Sequence, residues 1–140
     1  MMKNLKPILL VEDDSVDAMT VKRALKELNV TNQLVHSIDG EQALEYLKTD
    51  DNKKPCVILL DLNMPKMNGI EFLQAIKKDE KLKKTPVVVL TTSKEENDVT
   101  TSFRFSVAGY MVKPVDYKKF VEAIRAINMY WTLSELPNGD

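Results

Sequence analysis

The chain has 140 residues, of which 44% are hydrophobic and 29% are charged, so it can bury the core of one globular domain and is not disordered. Its net charge is −1 and its basic residues are scattered, which argues against a nucleic-acid partner. The longest apolar run has five residues and no signal peptide precedes Pro7, so neither a membrane span nor secretion is expected. The single cysteine excludes an intrachain disulfide, in agreement with a cytoplasmic location.

The first part of the chain alternates between strand and helix patterns. Ile8–Val11 is a short apolar run that predicts a buried strand, and Asp14 or Ser15 can cap a helix after it. Thr31–Ile38 has strand character but is more polar, as expected of an edge strand. Residues 39–42 have the spacing of a capping box and predict a second helix. The apolar positions of the two helices are Ala18, Val21, Leu25 and Leu28, then Ala43, Leu44 and Leu47.

The middle of the chain contains the most apolar segment, Cys56–Leu60, which predicts a strand buried on both faces. Cys56 is most simply a small core residue of this strand. Asn68 and Glu71 then start a third helix, and Pro86–Leu90 is another buried strand. The buried face of the third helix is predicted to consist of Phe72, Leu73 and Ile76.

The last part of the chain repeats the alternation twice. Ser93 and Glu96 form a capping-box pattern for a helix with few apolar residues, and Ala108–Val112 is the last predicted strand. Asp116 caps a final helix. The predicted core positions of this final helix are Phe120, Val121, Ile124 and Ile127.

Strands that alternate with helices predict an α/β protein with a parallel sheet, right-handed crossovers and helices on both faces. Five strands fit the doubly wound order 2-1-3-4-5, whose switch point lies between the first and third strands. Neither a repeat nor an interdomain linker is evident. We therefore expect a single domain over residues 1–140, with a core of about 7–131, a C-terminal extension over 132–140 and no output domain.

Polar residues follow four of the predicted strands directly. Because parallel strands present their carboxyl ends at one sheet edge, these residues should converge near the switch point. They are Glu12, Asp13, Asp61, Thr91 and Lys113. Each alone could be a solvated strand end, but all five fit one chemistry.

Crowded carboxylates repel one another by about 4 kcal/mol for a pair 4 Å apart at an effective dielectric of 20, so the cluster favours a cation. Hard oxygen ligands suit Mg²⁺. Lys113 adds a fixed positive charge and Thr91 a hydroxyl donor, as in sites that stabilise a transferring phosphoryl group. Asp61, at the centre, is then the candidate nucleophile that becomes an acyl phosphate.

The ordered set of motifs resembles the receiver domains of two-component response regulators over nearly the whole chain, and it implies their flavodoxin-like fold. The segment from Val107 to Trp131 is more narrowly similar to stand-alone, chemotaxis-regulator-like members partnered with bacterial phytochromes. The matching pieces are Val11-Glu12-Asp13, Leu60-Asp61-Leu62-Asn63-Met64-Pro65 with Asn68-Gly69, Leu90-Thr91-Thr92, and Tyr110-Met111-Val112-Lys113-Pro114.

The resemblance implies a role for each acidic residue. Asp61 would take a phosphoryl group from a phosphohistidine, which makes the chain a phosphoacceptor in a His-to-Asp phosphorelay. Asp13 would bind Mg²⁺ directly, and Asn63 would bind it through its backbone carbonyl. Glu12 stands where receivers often have Asp, so it would act mostly through water.

The resemblance also implies a switch in the second half of the chain. Thr91 and Lys113 would bind the phosphoryl oxygens, and their movement would draw Tyr110 inward. Lys113-Pro114 resembles the family's cis peptide bond. The implied partners are a sensor histidine kinase, including the phytochrome-like kinases, or a histidine phosphotransfer protein, together with a downstream protein target.

Two other functions compete with this interpretation. A haloacid-dehalogenase-type phosphatase also uses an aspartate nucleophile, Mg²⁺, Thr and Lys. Enzymes that resemble this type, however, carry the nucleophile in an Asp-x-Asp motif on the first strand. Here the motif is Asp61-Leu62-Asn63 on the third strand, and Asn63 cannot act as a general acid. We therefore expect that the protein is not an enzyme that turns over outside substrates. A pseudo-receiver that binds partners without phosphorylation is the second alternative, and the complete acid, Thr and Lys set argues against it.

His36, the only histidine, lies on the predicted edge strand, where a surface or packing role is favoured over phosphotransfer. The final helix carries more apolar surface than one helix end needs, with Met129, Tyr130, Trp131 and Leu133 past its core face. The neighbouring region between the preceding helix and the last strand adds Phe103, Phe105 and Val107. We therefore expect a homodimer through the last helix and this neighbouring strand.

Overall fold

The computed structural model describes residues 6–62, 67–91, 107–112 and 116–135, with the backbone alone for residues 91 and 130–135. The helix expected after Ser93 lies outside these residues. No described helix has both the length and the apolar content needed to cross a membrane. The described elements are β1 (Ile8–Val11), α1 (Ser15–Glu27), β2 (Leu34–Ser37), α2 (Gly40–Lys48), β3 (Val57–Leu60), α3 (Gly69–Lys78), β4 (Val87–Thr91), β5 (Gly109–Val112) and α4 (Tyr117–Glu135).

The five strands form one parallel sheet in the order β2-β1-β3-β4-β5, which confirms the predicted doubly wound topology. β1 lies between β2 and β3, so its last residue, Val11, is level with Ser37 on one side and Leu60 on the other. At the far side of the sheet, Thr91 pairs with Val112. The residues that follow β1 and β3 therefore emerge next to each other at the switch point.

Two apolar layers cover the sheet because successive strand residues point to opposite faces. Ile8 and Leu10 of β1 pack with α1 and α4, whereas Leu9 and Val11 pack with α2 and α3. Every residue of β1 and β3 is buried, as expected of central strands in a parallel sheet. Val107 is also buried, on the α2 and α3 side, so the expectation that it adds apolar surface to a dimer interface is wrong, whereas Phe103 and Phe105 lie outside the described residues.

Side-chain caps fix where the helices begin. The Asp14 carboxylate accepts hydrogen bonds from the N–H groups of Val16 and Asp17 at 2.8 and 3.1 Å, so Asp14 rather than Ser15 caps α1. Asn68 and Glu71 form the full capping box expected at α3.

The capping box expected at α2 is only half formed. Asp39 accepts from the Gln42 N–H at 2.8 Å, but the Gln42 side chain accepts from Ile38 instead of reaching Asp39. β2 ends at Ser37, one residue earlier than predicted, because its pairing stops opposite Val11, the last residue of β1. β2 begins later than predicted because its pairing starts at Ile8, the first residue of β1.

Gly69 allows α3 to begin directly against the end of β3. A Cβ at this position would lie 2.6 Å from the Leu62 Cα and 2.8 Å from the Asp61 carbonyl oxygen. The Gly69 N–H donates to the Leu62 carbonyl at 3.0 Å, so the approach is part of the local hydrogen bonding. Both crowded atoms belong to the backbone, which cannot move without displacing Asp61.

We expect Gly69→Ala to lower the free energy of unfolding by about 1 to 3 kcal/mol, because the added methyl group overlaps backbone atoms. Gly109→Ala is the matched control, since a Cβ there meets only Val88 methyl groups at 3.7 and 3.9 Å. The control should be neutral or stabilising by about 0.5 kcal/mol, because alanine loses less conformational entropy than glycine. Urea denaturation of both variants measures the difference, and equal effects would contradict the steric argument.

Candidate metal centre

Glu12 and Asp61 lie side by side because each is the first residue after a central strand. Val11 and Leu60 are paired in register, and the Asp61 N–H donates to the Val11 carbonyl at 3.0 Å. The pairing therefore continues for one residue past β3 and carries Asp61 to the level of Glu12. The hydrophobic strands set the spacing of the two carboxylates.

Three of the predicted site residues form one cluster at this edge. Carboxylate oxygens of Glu12, Asp13 and Asp61 all lie within 4.8 Å of one another. Glu12 and Asp61 are buried, with 1% and 8% of their surface exposed, whereas Asp13 is exposed. The site is thus a buried pair of carboxylates with a third at its solvent-facing side.

The charges of this cluster favour a bound cation. Two unit negative charges 4.8 Å apart repel by roughly 3 kcal/mol at an effective dielectric of about 20. A divalent ion placed among the three oxygens reverses the sign of these interactions. The donor set consists of hard oxygens and leaves one side open to water, which fits Mg²⁺ with several retained waters.

The segment that follows β1 is held by hydrogen bonds on several sides. The Glu12 N–H donates to the Ser37 carbonyl at 3.0 Å, and the Glu12 carbonyl lies 2.7 Å from Nε2 of His36. The Glu12 carboxylate accepts a longer hydrogen bond, 3.3 Å, from the Asp14 N–H. The backbone next to the exposed ligand candidate, Asp13, is therefore fixed by β2 and by the start of α1.

The remaining predicted site residues are described only in part. Thr91 ends β4 at the same sheet edge, with its backbone alone described. Tyr110 is half-buried in β5, level with Val89, and packs against the core on the α2 and α3 side. Asn63, Lys113 and the Lys113-Pro114 peptide bond lie outside the described residues, so their roles stay predictions.

Reasoning from the sequence missed the contact between the His36 ring and the Glu12 carbonyl. A histidine on an edge strand fits a surface or packing role, yet its ring contacts the backbone of a candidate metal ligand. The predicted strand order contained the necessary signal. Parallel pairing of the first two strands brings His36 level with Leu10, two residues before Glu12.

Comparison with known sequences identifies relatives that span most of the chain. A family model described as the response regulator receiver domain matches residues 8–125. Response regulator Rcp1 of Synechocystis sp. is 38% identical over 130 residues, which cover 90% of this chain and 88% of Rcp1. The probable methanogenesis regulatory protein FilR2 of Methanothrix harundinacea is 38% identical over 127 residues, which cover 89% and 82% of the two chains.

Solved structures give the same result for the fold. The phosphorylated cyanobacterial phytochrome response regulator RcpA has a TM-score of 0.85 and 36% identity, covering 91% of this chain and 94% of its own. The Mn²⁺-bound form of Rcp1 has a TM-score of 0.83 and 38% identity, covering 90% and 94%. The sequence matches and the structural matches therefore agree. The chain belongs to the response regulator receiver domain family of two-component signalling.

Proposed function

We propose that this receiver accepts a phosphoryl group on Asp61 in a Mg²⁺-dependent reaction and that the phosphorylated form binds a partner protein. The observation that carries the proposal is the carboxylate cluster, in which Asp61 is buried beside Glu12 and next to the exposed Asp13. A buried carboxylate within 4.8 Å of two others is repelled by both, and a bound cation reverses that repulsion.

The residues of this chain fit the proposed metal. Glu12, Asp13 and Asp61 would hold Mg²⁺ together with the backbone carbonyl of Asn63. When bound, Mg²⁺ supplies positive charge that offsets the carboxylates and the incoming phosphoryl oxygens. The Mn²⁺-bound form of Rcp1 supports a divalent-cation site in this family member as well.

In the proposed reaction, a carboxylate oxygen of Asp61 attacks the phosphorus of a phosphohistidine. The O–P bond forms as the P–N bond breaks, and the departing imidazole takes a proton from solvent. The Lys113 ammonium and the Thr91 hydroxyl would donate hydrogen bonds to the phosphoryl oxygens, and Tyr110 would move inward in response. A dehalogenase-type phosphatase is disfavoured because Asp61 follows the third strand of the chain and not the first.

The phosphodonor is proposed to be a sensor histidine kinase or a histidine phosphotransfer protein. RcpA is described as a cyanobacterial phytochrome response regulator, which supports a phytochrome-type kinase as one donor for this chain. The downstream target would be a protein that distinguishes the phosphorylated from the unphosphorylated receiver. Such discrimination requires a difference in binding free energy between the two states.

The proposal is tested by exposing the protein to a small acyl phosphate donor with Mg²⁺ or with a chelator. A covalent phosphoryl adduct should appear by intact-mass spectrometry only in the presence of Mg²⁺. It should be released by hydroxylamine, as expected of an acyl phosphate. Mg²⁺ binding without any adduct, from this donor and from histidine kinases alike, would instead favour a non-phosphorylated pseudo-receiver.

We also propose that two copies of the chain associate through α4 and β5. Met129 of α4 is 59% exposed and Val112 of β5 is 36% exposed, so both elements present apolar surface to solvent. Along α4, the sequence continues from Met129 into Tyr130, Trp131 and Leu133. An apolar stretch that includes an exposed residue such as Met129 supports a protein interface.

Sedimentation velocity at micromolar concentration should show a dimer for the wild type. We expect Met129→Glu and Trp131→Ala to raise the dissociation constant at least about tenfold, because the first variant buries a charge and the second removes a large apolar side chain. Met19→Glu is the matched control, since Met19 is a similarly exposed methionine on α1, with 66% of its surface accessible. A monomeric wild type would contradict the proposal, as would an equal effect of the control.

A further inference from the structure

The imidazole of His36 holds the peptide group that joins two candidate metal ligands. Its Nε2 atom lies 2.7 Å from the carbonyl oxygen of Glu12. A carbonyl oxygen can only accept a hydrogen bond, so Nε2 carries the hydrogen and donates it. His36 reaches this oxygen from β2, since it pairs with Leu10 two residues earlier in β1.

This hydrogen bond constrains Asp13 as well as Glu12. The Glu12 carbonyl and the Asp13 N–H belong to one planar peptide group, so fixing the oxygen also fixes the direction in which the chain enters Asp13. The Glu12 N–H is already bound to the Ser37 carbonyl at 3.0 Å. With both of its polar groups bound, the Glu12 backbone retains little freedom to rotate.

Asp13 is the member of the cluster that needs such support. It is exposed, whereas Glu12 and Asp61 are held within the buried edge of the sheet. An exposed carboxylate keeps its ligand geometry only if the backbone beneath it is ordered before the ion binds. A hydrogen-bond donor outside the ligand set typically supplies that order, and its loss weakens metal binding.

We infer that His36 is a positioning residue for the metal centre, which orients Asp13 toward Mg²⁺ through the shared Glu12–Asp13 peptide group. The inference rests on the proposed function, because it assumes that Asp13 is a direct ligand. His36 itself does not touch the ion. Its contribution is the donated hydrogen bond at the Nε2 position.

The test compares Mg²⁺ affinity, measured by titration calorimetry with Mg²⁺ alone, among variants that differ in this donor. His36→Phe keeps a ring but has no donor, and we expect it to bind Mg²⁺ about tenfold more weakly. His36→Gln places an N–H donor at the same distance along the side chain and should restore most of the affinity. The amide resonance of Asp13 should shift more in His36→Phe than that of Asp61, whose N–H donates to Val11.

Asn32→Leu is the matched control for a general loss of stability. Asn32 donates a side-chain hydrogen bond of 2.7 Å to the Lys6 carbonyl, just before the other end of β1. This variant should be destabilised in urea like His36→Phe but should bind Mg²⁺ as the wild type does. An equal loss of affinity in this control, or a failure of His36→Gln to restore it, would overturn the inference.

Mg²⁺ titrations of the wild type and of Asp13→Asn distinguish a failure of this inference from a failure of the proposed function. If both bind Mg²⁺ equally, Asp13 is not a ligand and both proposals fail. If Asp13→Asn abolishes binding while His36→Phe retains full affinity, the proposed metal centre stands and the role of His36 is refuted. Weak binding by His36→Phe, rescue by His36→Gln and a normal control together support the inference.

Discussion

Asp61→Asn is expected to abolish the Mg²⁺-dependent phosphoryl adduct. An amide has no ionised oxygen to attack phosphorus, and it cannot form an acyl phosphate. The substitution preserves the size of a side chain that is only 8% exposed, so the fold should be retained. Intact-mass spectrometry after incubation with a small acyl phosphate donor and Mg²⁺ measures the loss directly.

Asp39→Asn provides a closely matched control for this experiment. Asp39 is as buried as Asp61, with 7% exposure, but it caps α2 by accepting the Gln42 N–H. Asparagine caps helices about as well as aspartate, so this variant should fold and accept the phosphoryl group normally. Equal labelling of the two variants would show that another residue is the nucleophile.

Asp13→Asn should raise the free energy of unfolding in metal-free buffer by about 1 to 3 kcal/mol, since it removes one of three crowded negative charges. The same change should abolish stabilisation by Mg²⁺. A ligand that binds only the folded protein adds about 1.4 kcal/mol at ten times its dissociation constant. Urea melts of the wild type and the variant, with and without millimolar Mg²⁺, measure both effects. Phosphorylation should be lost as well, so the variant exchanges function for stability.

The neighbouring Asp14 gives the control for this prediction. Its carboxylate caps α1 and is not part of the cluster, so Asp14→Asn removes one charge without relieving the crowding. We expect Asp14→Asn to be no more stable than the wild type in metal-free buffer and to keep its response to Mg²⁺. An Asp13→Asn protein that is less stable than the wild type without metal would identify Asp13 as a structural hydrogen-bond acceptor.

Much of the fold could be predicted from the sequence because β1 and β3 are short, fully apolar runs. Ile8–Val11 and Val57–Leu60 are buried on both faces, so their composition alone identifies central strands. The limits of the edge strand β2 could not be predicted in the same way. They depend on where β1 begins and ends, because β2 pairs with β1 residue by residue, and this pairing is a tertiary feature.

The acidic part of the site could also be predicted, because parallel topology brings strand ends to one edge. Glu12, Asp13 and Asp61 do lie together there. The contact of His36 with Glu12 was not predicted, because it depends on the register between β1 and β2 and on a side-chain rotamer. Nor could the sequence show why Gly69 is needed, since the crowding arises only when α3 packs against the end of β3.

The complete burial of β1 and β3 has a dynamic consequence. Backbone groups in such strands open to solvent only when the whole domain unfolds, so the two central strands form the least mobile part of the molecule. Glu12 and Asp61 extend from these strands by one residue each and share their rigidity. Any slower rearrangement that accompanies a change at Asp61 must therefore occur around this fixed base, in the surrounding loops and at the edges of the sheet.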